Sequence, residues 1–200
     1  MTDVLFEYLQ YGKTELPEQV VNELTQISQS EICNCISRME CPNVNSHNIP
    51  QYSNYDNGTY EMLKYLRMSG DFGPSFTEIG EHFLERGHKP VAYIKYGENH
   101  SKLAELLGLV EIKKTDRKRV YLSEVGKRIE KLEKKQQFDC FTKLAARVPI
   151  VQEAVKRGIS SPKELEVLLN DYLSAVTALR RRRNTWILVE RLQGKEQDGV

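Results

Sequence analysis

The chain has 200 residues, with 29 Lys and Arg against 28 Asp and Glu, a net charge of +1 and a mean hydropathy of −0.54. No apolar run approaches the roughly 18 residues that a membrane span needs, so the sequence excludes a transmembrane helix. The N-terminus MTDVLFEYLQ is acidic and does not resemble a signal peptide, which predicts a cytoplasmic protein. Its four cysteines are then expected to be reduced thiols or metal ligands.

The near-zero net charge hides an uneven distribution along the chain. Residues 1–62 carry two basic and nine acidic side chains, whereas the remaining residues carry 27 basic and 19 acidic ones. Basic side chains gathered on one surface attract phosphate, which indicates an anionic partner for the second part. Solvated lysine-rich helices are the alternative explanation.

Residues 1–58 are predicted to form an acidic helical arm and a linker. Apolar residues recur at helical spacing in residues 3–11 and 17–29. From Cys33 to Gly58 the composition changes to Asn, Ser, Pro and Tyr without periodicity, which is typical of a loop. The main domain boundary is therefore predicted at the end of this loop.

Residues 59–123 are predicted to form three helices followed by a β-hairpin. Thr59 is a candidate cap for the first helix, and Pro90 suits the first turn of the third. Ser75 and Glu78 have the spacing of a capping box for the second helix. LVEIKK and RVYLS then alternate as strands around the polar turn TDRK. This order of elements is that of a winged helix-turn-helix domain.

The rest of the chain is predicted to be helical up to a frayed tail at residues 193–200. Residues 124–137 have the pattern of one charged helix. Three more helices are predicted at 138–156 with a kink before Pro149, from Pro162 to Tyr172, and from Thr177 to Leu192. The predicted fold class is mainly α with a small β-hairpin: a winged helix-turn-helix and, within residues 124–192, a C-terminal bundle resembling a helix-turn-helix.

The third helix and the hairpin of the winged domain carry candidate DNA-binding residues. A recognition helix meets base edges in the major groove, where Asn pairs with adenine and Lys reaches guanine or phosphate. A basic wing contacts flanking phosphates or enters a minor groove. A solvated helix face and a hairpin with protective edge lysines are the alternatives. The candidates are Lys95, Tyr96, Asn99, His100 and Lys102 on the helix, and Lys113, Lys114, Arg117, Lys118 and Arg119 on the hairpin.

A further candidate is the segment ALRRRRNTWILVERL, whose consecutive arginines are Arg180, Arg181, Arg182 and Arg183. If Thr177 caps this helix, the first two arginines lie in its first turn. There the helix dipole and the guanidinium groups both favour phosphate. A cluster of salt bridges within the protein is the alternative.

A zinc site and an enzyme active site are both less favoured. Four potential zinc ligands lie close in sequence, but Cys-x-Cys is tighter than the usual ligand spacing, so incidental thiols are the preferred interpretation and no cofactor is predicted. Common hydrolase, nucleotide-binding and metalloprotease motifs are absent, which argues against an enzyme. Glu111-Ile-Lys113 has the Glu-x-Lys spacing of restriction-type nucleases, but it falls on the predicted wing without a preceding Asp on a strand. The potential ligands are Cys33, Cys35, Cys41 and His47.

Two segments resemble known DNA-reading modules. YGENHSKLAELLGLVEI, a basic turn and VYLSEVGKRIEKL are similar to the winged-helix pattern, and RRRRNTWILVERL is similar to an Arg-Arg, Thr, Trp pattern of restriction-modification and related defence proteins. The resemblance covers residues 59–192. It implies two helix-turn-helix units that grip duplex DNA, and it assigns no catalytic residue.

The sequence therefore predicts a duplex DNA-binding protein, sequence-specific in its recognition, that serves as a recognition module or regulator in a restriction or defence system. A protein-interaction module on a winged-helix scaffold is the alternative, with a partner protein or a second copy as its ligand. A nuclease subunit is the third hypothesis. No membrane partner is expected, and the acidic arm is expected to compete with DNA for the basic region.

Overall fold

The computed structural model describes residues 1–40, 42–52, 55–114 and 117–195. These residues are mainly helical with one small antiparallel hairpin, as predicted. No described helix combines the length and the apolar character that crossing a membrane requires. The elements in chain order are α1 (Asp3–Tyr11), α2 (Pro17–Gln26), α3 (Gln29–Ile36), α4 (Tyr55–Met68), α5 (Phe76–Phe83), α6 (Pro90–Leu106), β1 (Val110–Lys114), β2 (Lys118–Leu122), α7 (Glu124–Ile129), α8 (Lys134–Leu144), a short 3-10 helix (Ala145–Arg147), α9 (Pro149–Lys156), α10 (Pro162–Asn170) and α11 (Ala175–Leu192).

The chain folds into two compact units. We call residues 51–138 the central unit, and residues 1–50 together with 139–200 the terminal unit. This division differs from the predicted domains, because the acidic segment and the C-terminal helices share one unit. The physical reason is apolar burial: α1 and α3 pack with the 3-10 helix, and α3 also packs with α9 and α11. The acidic segment is therefore part of a hydrophobic core rather than a separate arm.

In the terminal unit, several predicted helix boundaries are wrong. The helix predicted over residues 17–29 ends at Gln26. The loop predicted to begin at Cys33 begins later, because helix α3 continues to Ile36. This helix starts at a reciprocal capping box formed by Ser28 and Glu31. Helix α11 is preceded by Ser174 as its N-cap, so it begins before Thr177. The kink predicted before Pro149 is confirmed, because the 3-10 helix separates α8 from α9. Of the predicted tail, residues 196–200 lie outside the described residues.

In the central unit, α4 begins one turn before the predicted cap. Thr59 is buried inside the helix rather than at its end. Tyr55 is buried too, and its spacing of four residues from Thr59 extends the buried face toward the N-terminus. The predicted starts of α5 and α6 are confirmed, with a Ser75–Glu78 capping box and with Pro90 in the first turn.

Helices α5 and α6 cross at two glycines. A methyl group added at Gly80 would overlap the carbonyl oxygen of Tyr93, and one added at Gly97 would overlap the carbonyl oxygen of Phe76. Glycine therefore lets the two backbones approach more closely than any side chain would allow. These two close approaches set the distance between α6 and α5 in the central unit.

The hairpin is joined by a segment that precedes α5. Strands β1 and β2 pair from Val110 with Leu122 to Lys114 with Lys118. The backbone N–H of Val120 also donates to the carbonyl of Pro74 at 3.0 Å, and Ser75 forms a bridge to Arg119. The loop between α4 and α5 thus anchors β2 beside the helices.

The single helix predicted over residues 124–137 is wrong, because α7 ends at Ile129 and α8 begins at Lys134. The side-chain amide of Gln137 donates to the carbonyls of Glu130 and Leu132 at 2.9 and 2.8 Å. These bonds satisfy carbonyl groups in the turn between the two helices. In a continuous helix, the same carbonyls would accept from backbone N–H groups four residues further along.

Candidate nucleic-acid interface

The N-terminal half of α6 presents a mixed apolar and polar surface. Val91 and Ile94 are 59% and 41% exposed, and Lys95 is exposed beside them. Asn99 is half-buried one turn further along the helix. Exposed aliphatic groups beside polar ones can contact thymine methyl groups and base edges in a major groove.

The two predicted lysines of α6 are both paired with Glu98. Lys95 and Lys102 donate to its carboxylate oxygens at 3.0 and 2.8 Å. The hydrogen bonds from Lys102 and Lys95 lower the pKa of Glu98 to about 2, so this carboxylate stays ionised. The positive charge of α6 is therefore partly cancelled within the helix itself.

Two of the predicted DNA-contacting residues of α6 face inward. His100 is only 4% exposed, so it cannot contact a base edge in this fold, and its prediction as an exposed recognition residue is wrong. Its ring stacks on Tyr96 with centroids 4.3 Å apart, and the half-buried Tyr96 ring lies 6.2 Å from that of Phe83. The 3.6-residue period brings His100 to the inner face, close to Gly97 and Leu103. Burial lowers the pKa of His100 to about 4, which keeps the ring neutral near pH 7.

The basic residues of the hairpin differ in what they contact. Lys113 pairs with Glu111 at 3.2 Å and lies 5.3 Å from the ring centroid of Tyr121. Arg119 is half-buried and donates to the carbonyl of Gly73 at 3.0 Å. Both side chains therefore have partners within the central unit.

The far end of the hairpin carries three exposed basic residues of the predicted site. Lys114, Arg117 and Lys118 are all exposed, and the Lys118 ammonium lies 5.9 Å from the Phe76 ring centroid. The turn residues between Lys114 and Arg117 lie outside the described residues. Three cations on a short projecting element give a surface that suits phosphate.

A cavity of about 520 Å³ lies between the end of α4, the hairpin and the start of α7. Asp71, Glu111, Lys113 and Glu124 line it, so the Glu-x-Lys pair does have acidic neighbours. Among the described residues, however, no three His, Cys, Asp or Glu side chains are placed to hold a metal ion together. The observed pairing of Lys113 with Glu111 is consistent with the interpretation of these residues as part of the hairpin.

The four consecutive arginines of α11 point in different directions. Arg181 donates to the carbonyls of Ser46 and Ile49 at 3.0 and 2.8 Å, and Arg182 pairs with Glu166. Arg180 and Arg183 are exposed on the outer face of the helix. Because Ser174 caps α11, Arg180 and Arg181 lie beyond its first turn, and the predicted placement at the positive helix end is wrong.

The potential zinc ligands named from the sequence are not grouped into a metal site among the described residues. Cys41 lies outside them, and His47 is exposed. Cys35 is buried, and its burial raises the pKa of the thiol to about 11. The Cys33 thiol donates to the carbonyl of Leu192 at 3.3 Å. Neither of these two thiols is poised to ionise near pH 7.

One basic cluster of the central unit was not predicted. The Lys64 and Lys134 ammonium groups lie 4.9 and 5.0 Å from the ring centroid of Tyr60, and Lys134 lies 5.4 Å from that of Phe138. The two rings meet edge to face, with centroids 6.0 Å apart. We call these four residues the lysine–aromatic cluster. The sequence contains a signal for it, because each lysine is four residues from an aromatic residue, but the meeting of the two pairs is tertiary.

Comparison with known proteins identifies no relative, since no family model, no curated protein and no solved structure matches the chain. The inference of function therefore rests on the residues described above.

Proposed function

We propose that the protein binds duplex DNA through its central unit, in the manner of a winged helix-turn-helix domain. The observation that carries this proposal is the exposed cationic end of the hairpin, Lys114, Arg117 and Lys118, which follows α6 directly in the chain. Three helices followed by a hairpin are the order of elements in such a domain.

In this proposal α6 is the recognition helix. Asn99 pairs with adenine, and the exposed Val91 and Ile94 contact thymine methyl groups. Lys95 exchanges its bond with Glu98 for a phosphate or a guanine, because its own side chain is 65% exposed and Lys102 stays paired with the carboxylate. Tyr96 and His100 position the helix from its inner side rather than touch DNA.

The terminal unit supplies a separate contact through the outer face of α11. Arg180 and Arg183 are exposed there, with Val176 and Leu179 on the same side of the helix. Together with the resemblance noted in the sequence, this supports a sequence-reading module or regulator of a restriction or defence system as the proposed role.

The double substitution Lys114→Gln and Arg117→Gln tests the proposal. It should weaken binding to duplexes of every sequence, because it removes two phosphate contacts. The plot of log affinity against log salt concentration should become shallower by about 2. Fluorescence anisotropy of a labelled duplex at several salt concentrations measures both quantities.

The matched control is Arg38→Gln with Lys163→Gln, which removes two exposed cations from the terminal unit. The control should change affinity by about twofold at most, because neither residue belongs to a proposed contact surface and salt screens exposed charges that make no direct contact. A wild-type affinity that does not depend on salt, or an equal loss in the control, would contradict DNA binding through the hairpin.

An assembly module remains the second candidate because of the apolar surface of α11. Val176 and Leu179 are 81% and 54% exposed, and large exposed aliphatic groups on one helix face are typical of protein contacts. Sedimentation of the same samples distinguishes the two functions. A stable dimer that forms without DNA, combined with no salt-dependent DNA affinity, would favour assembly.

A further inference from the structure

We propose that the lysine–aromatic cluster is a second phosphate-binding site of the central unit, which contacts the DNA backbone independently of α6 and the hairpin. The inference rests on the proposed DNA binding and extends it to Tyr60, Lys64, Lys134 and Phe138. It assigns these residues to backbone contact, which affects affinity for all sequences alike.

The partners of the two lysines distinguish this cluster from the lysines of the central unit that pair closely with carboxylates. Lys102, Lys113 and Lys127 each lie within 3.2 Å of a carboxylate oxygen, which cancels their charge. Lys134 instead lies against the rings of Tyr60 and Phe138. A ring face attracts the ammonium group without neutralising it, so N–H donors directed away from the ring remain available to a phosphate oxygen.

Lys64 also lies against the Tyr60 ring, and its ion pair with Glu61 is at the limit of ion-pair distance. Its ammonium lies 4.9 Å from the Tyr60 ring centroid, and the nearest carboxylate oxygen of Glu61 is 4.0 Å away. The Lys64 side chain is 47% exposed, so an incoming phosphate can reach it. The pairing with Glu61 is too long and too exposed to compete strongly with that phosphate.

The arrangement concentrates positive charge around one ring. The Lys64 and Lys134 ammonium groups lie 4.9 and 5.0 Å from the same Tyr60 centroid, so two positive charges meet around one ring. An anion that contacts both of them reduces their mutual repulsion. Exposed Lys131 and Lys135 add to the positive potential, and exposed Glu133 reduces it. The neighbouring Glu130 carboxylate is buried and paired with Arg67, which leaves it little influence on an outside ligand.

An extended polymer fits this surface better than a small phosphate compound. The cluster is built from side chains of two helices that are half-buried or exposed, rather than from an enclosed pocket with converging polar groups. A nucleic-acid backbone offers successive phosphates along its length, so each lysine can meet one of them. Preorganisation by the rings reduces the side-chain entropy lost on binding.

The test is the double substitution Lys64→Gln and Lys134→Gln in the full chain. The probe is labelled duplex DNA of randomised sequence, with a single strand of the same composition as a second arm. We expect weaker duplex binding at low salt and a log–log salt slope shallower by about 2. Lys64→Arg with Lys134→Arg should keep the wild-type slope, since Arg retains both the charge and the ring contact. Circular dichroism of each variant checks that it is folded.

The remaining outcomes each decide the inference. If the hairpin variant lowers the slope and the Lys64/Lys134 variant behaves like the Arg38/Lys163 control, DNA binding stands and the second site is refuted. An effect confined to the single strand also refutes it. If the wild type shows no salt-dependent affinity for duplex, the proposed function and this inference both fall. Ethylation of backbone phosphates gives an independent readout: the two variants should lose different sets of interfering phosphates.

Discussion

His100 lies against the Tyr96 ring on the inner side of α6. It is 4% exposed and stacks on Tyr96, and its burial lowers its pKa to about 4. An unfolded chain binds a proton at histidine near pH 6.5, whereas the folded central unit excludes that proton until the pH is much lower. The native state therefore gains stability from a neutral His100 and loses that stability as the pH falls.

The replacement His100→Gln should flatten this pH dependence. In the wild type the free energy of unfolding should fall by up to about 3 kcal/mol between pH 6.5 and pH 4, because the unfolded state takes up a proton that the folded state excludes. Urea unfolding followed by circular dichroism across this range measures the effect. His82→Gln is the control, since His82 is exposed. An unchanged slope in the His100 variant would show that other groups control acid stability.

The consecutive arginines show how much a residue's surroundings decide its role. Arg181 donates to two carbonyls and Arg182 pairs with Glu166, whereas Arg180 and Arg183 are exposed. The sequence predicted the helix and the presence of a basic segment. It did not separate the inner arginines from the outer ones, because their partners are more than ten residues away in the chain and one of the partners belongs to α10.

At the scale of elements, the α5–α6 crossing depends on glycine. Gly97 lies where the backbone of α6 meets Phe76, and Gly80 lies where α5 meets Tyr93. The close approach leaves no room for a methyl group. Because α6 carries the proposed recognition face, any separation of these helices also changes the surface that the proposed function assigns to DNA contact.

Gly97→Ala should destabilise the central unit by about 1–3 kcal/mol through overpacking, despite the higher helix propensity of alanine. Glu81→Ala, at an exposed position of α5, is the matched control and should have an effect near zero. Urea unfolding measures the difference in stability, and hydrogen exchange of the α6 amides shows whether it affects this helix. A more stable Gly97→Ala variant would mean that the helices cross further apart than described.

Local signals predicted most element starts in the central unit. Ser75 with Glu78, and Pro90, mark α5 and α6 correctly because capping involves only neighbouring residues. The turn between α7 and α8 was missed. Its stabilising bonds come from the side chain of Gln137, and a charged segment with regular apolar spacing gives no sign of them.

For the whole molecule, the two folded units have more balanced charges than the two ends of the sequence. The central unit contains 16 basic and 13 acidic residues, and the terminal unit contains 13 basic and 15 acidic ones. The steep contrast between the two ends of the chain therefore largely disappears. The acidic segment shares its unit with Arg180 to Arg183, so the total charge of the central unit is a weaker argument for DNA than the local hairpin and lysine–aromatic surfaces.

Deleting residues 1–50 should unfold the rest of the terminal unit rather than tighten DNA binding. The deletion removes buried Leu5, Leu9, Leu24 and Ile32, which form part of its core. A fragment of residues 51–138 should still melt cooperatively, because its core is its own. Thermal unfolding by circular dichroism and amide exchange in α9–α11 test both statements. Full protection of those helices with stronger DNA binding would instead support competition by the acidic segment.

The sequence by itself determined the helical class, the hairpin, several caps and the basic character of residues after 62, because these depend on spacing and local chemistry. Only the tertiary structure decided that His100 is buried, that Arg181 and Arg182 have partners within the protein, and that Lys64 and Lys134 meet around Tyr60. The physical reason is that burial and partner choice depend on residues far apart in the chain, which periodicity alone cannot bring together.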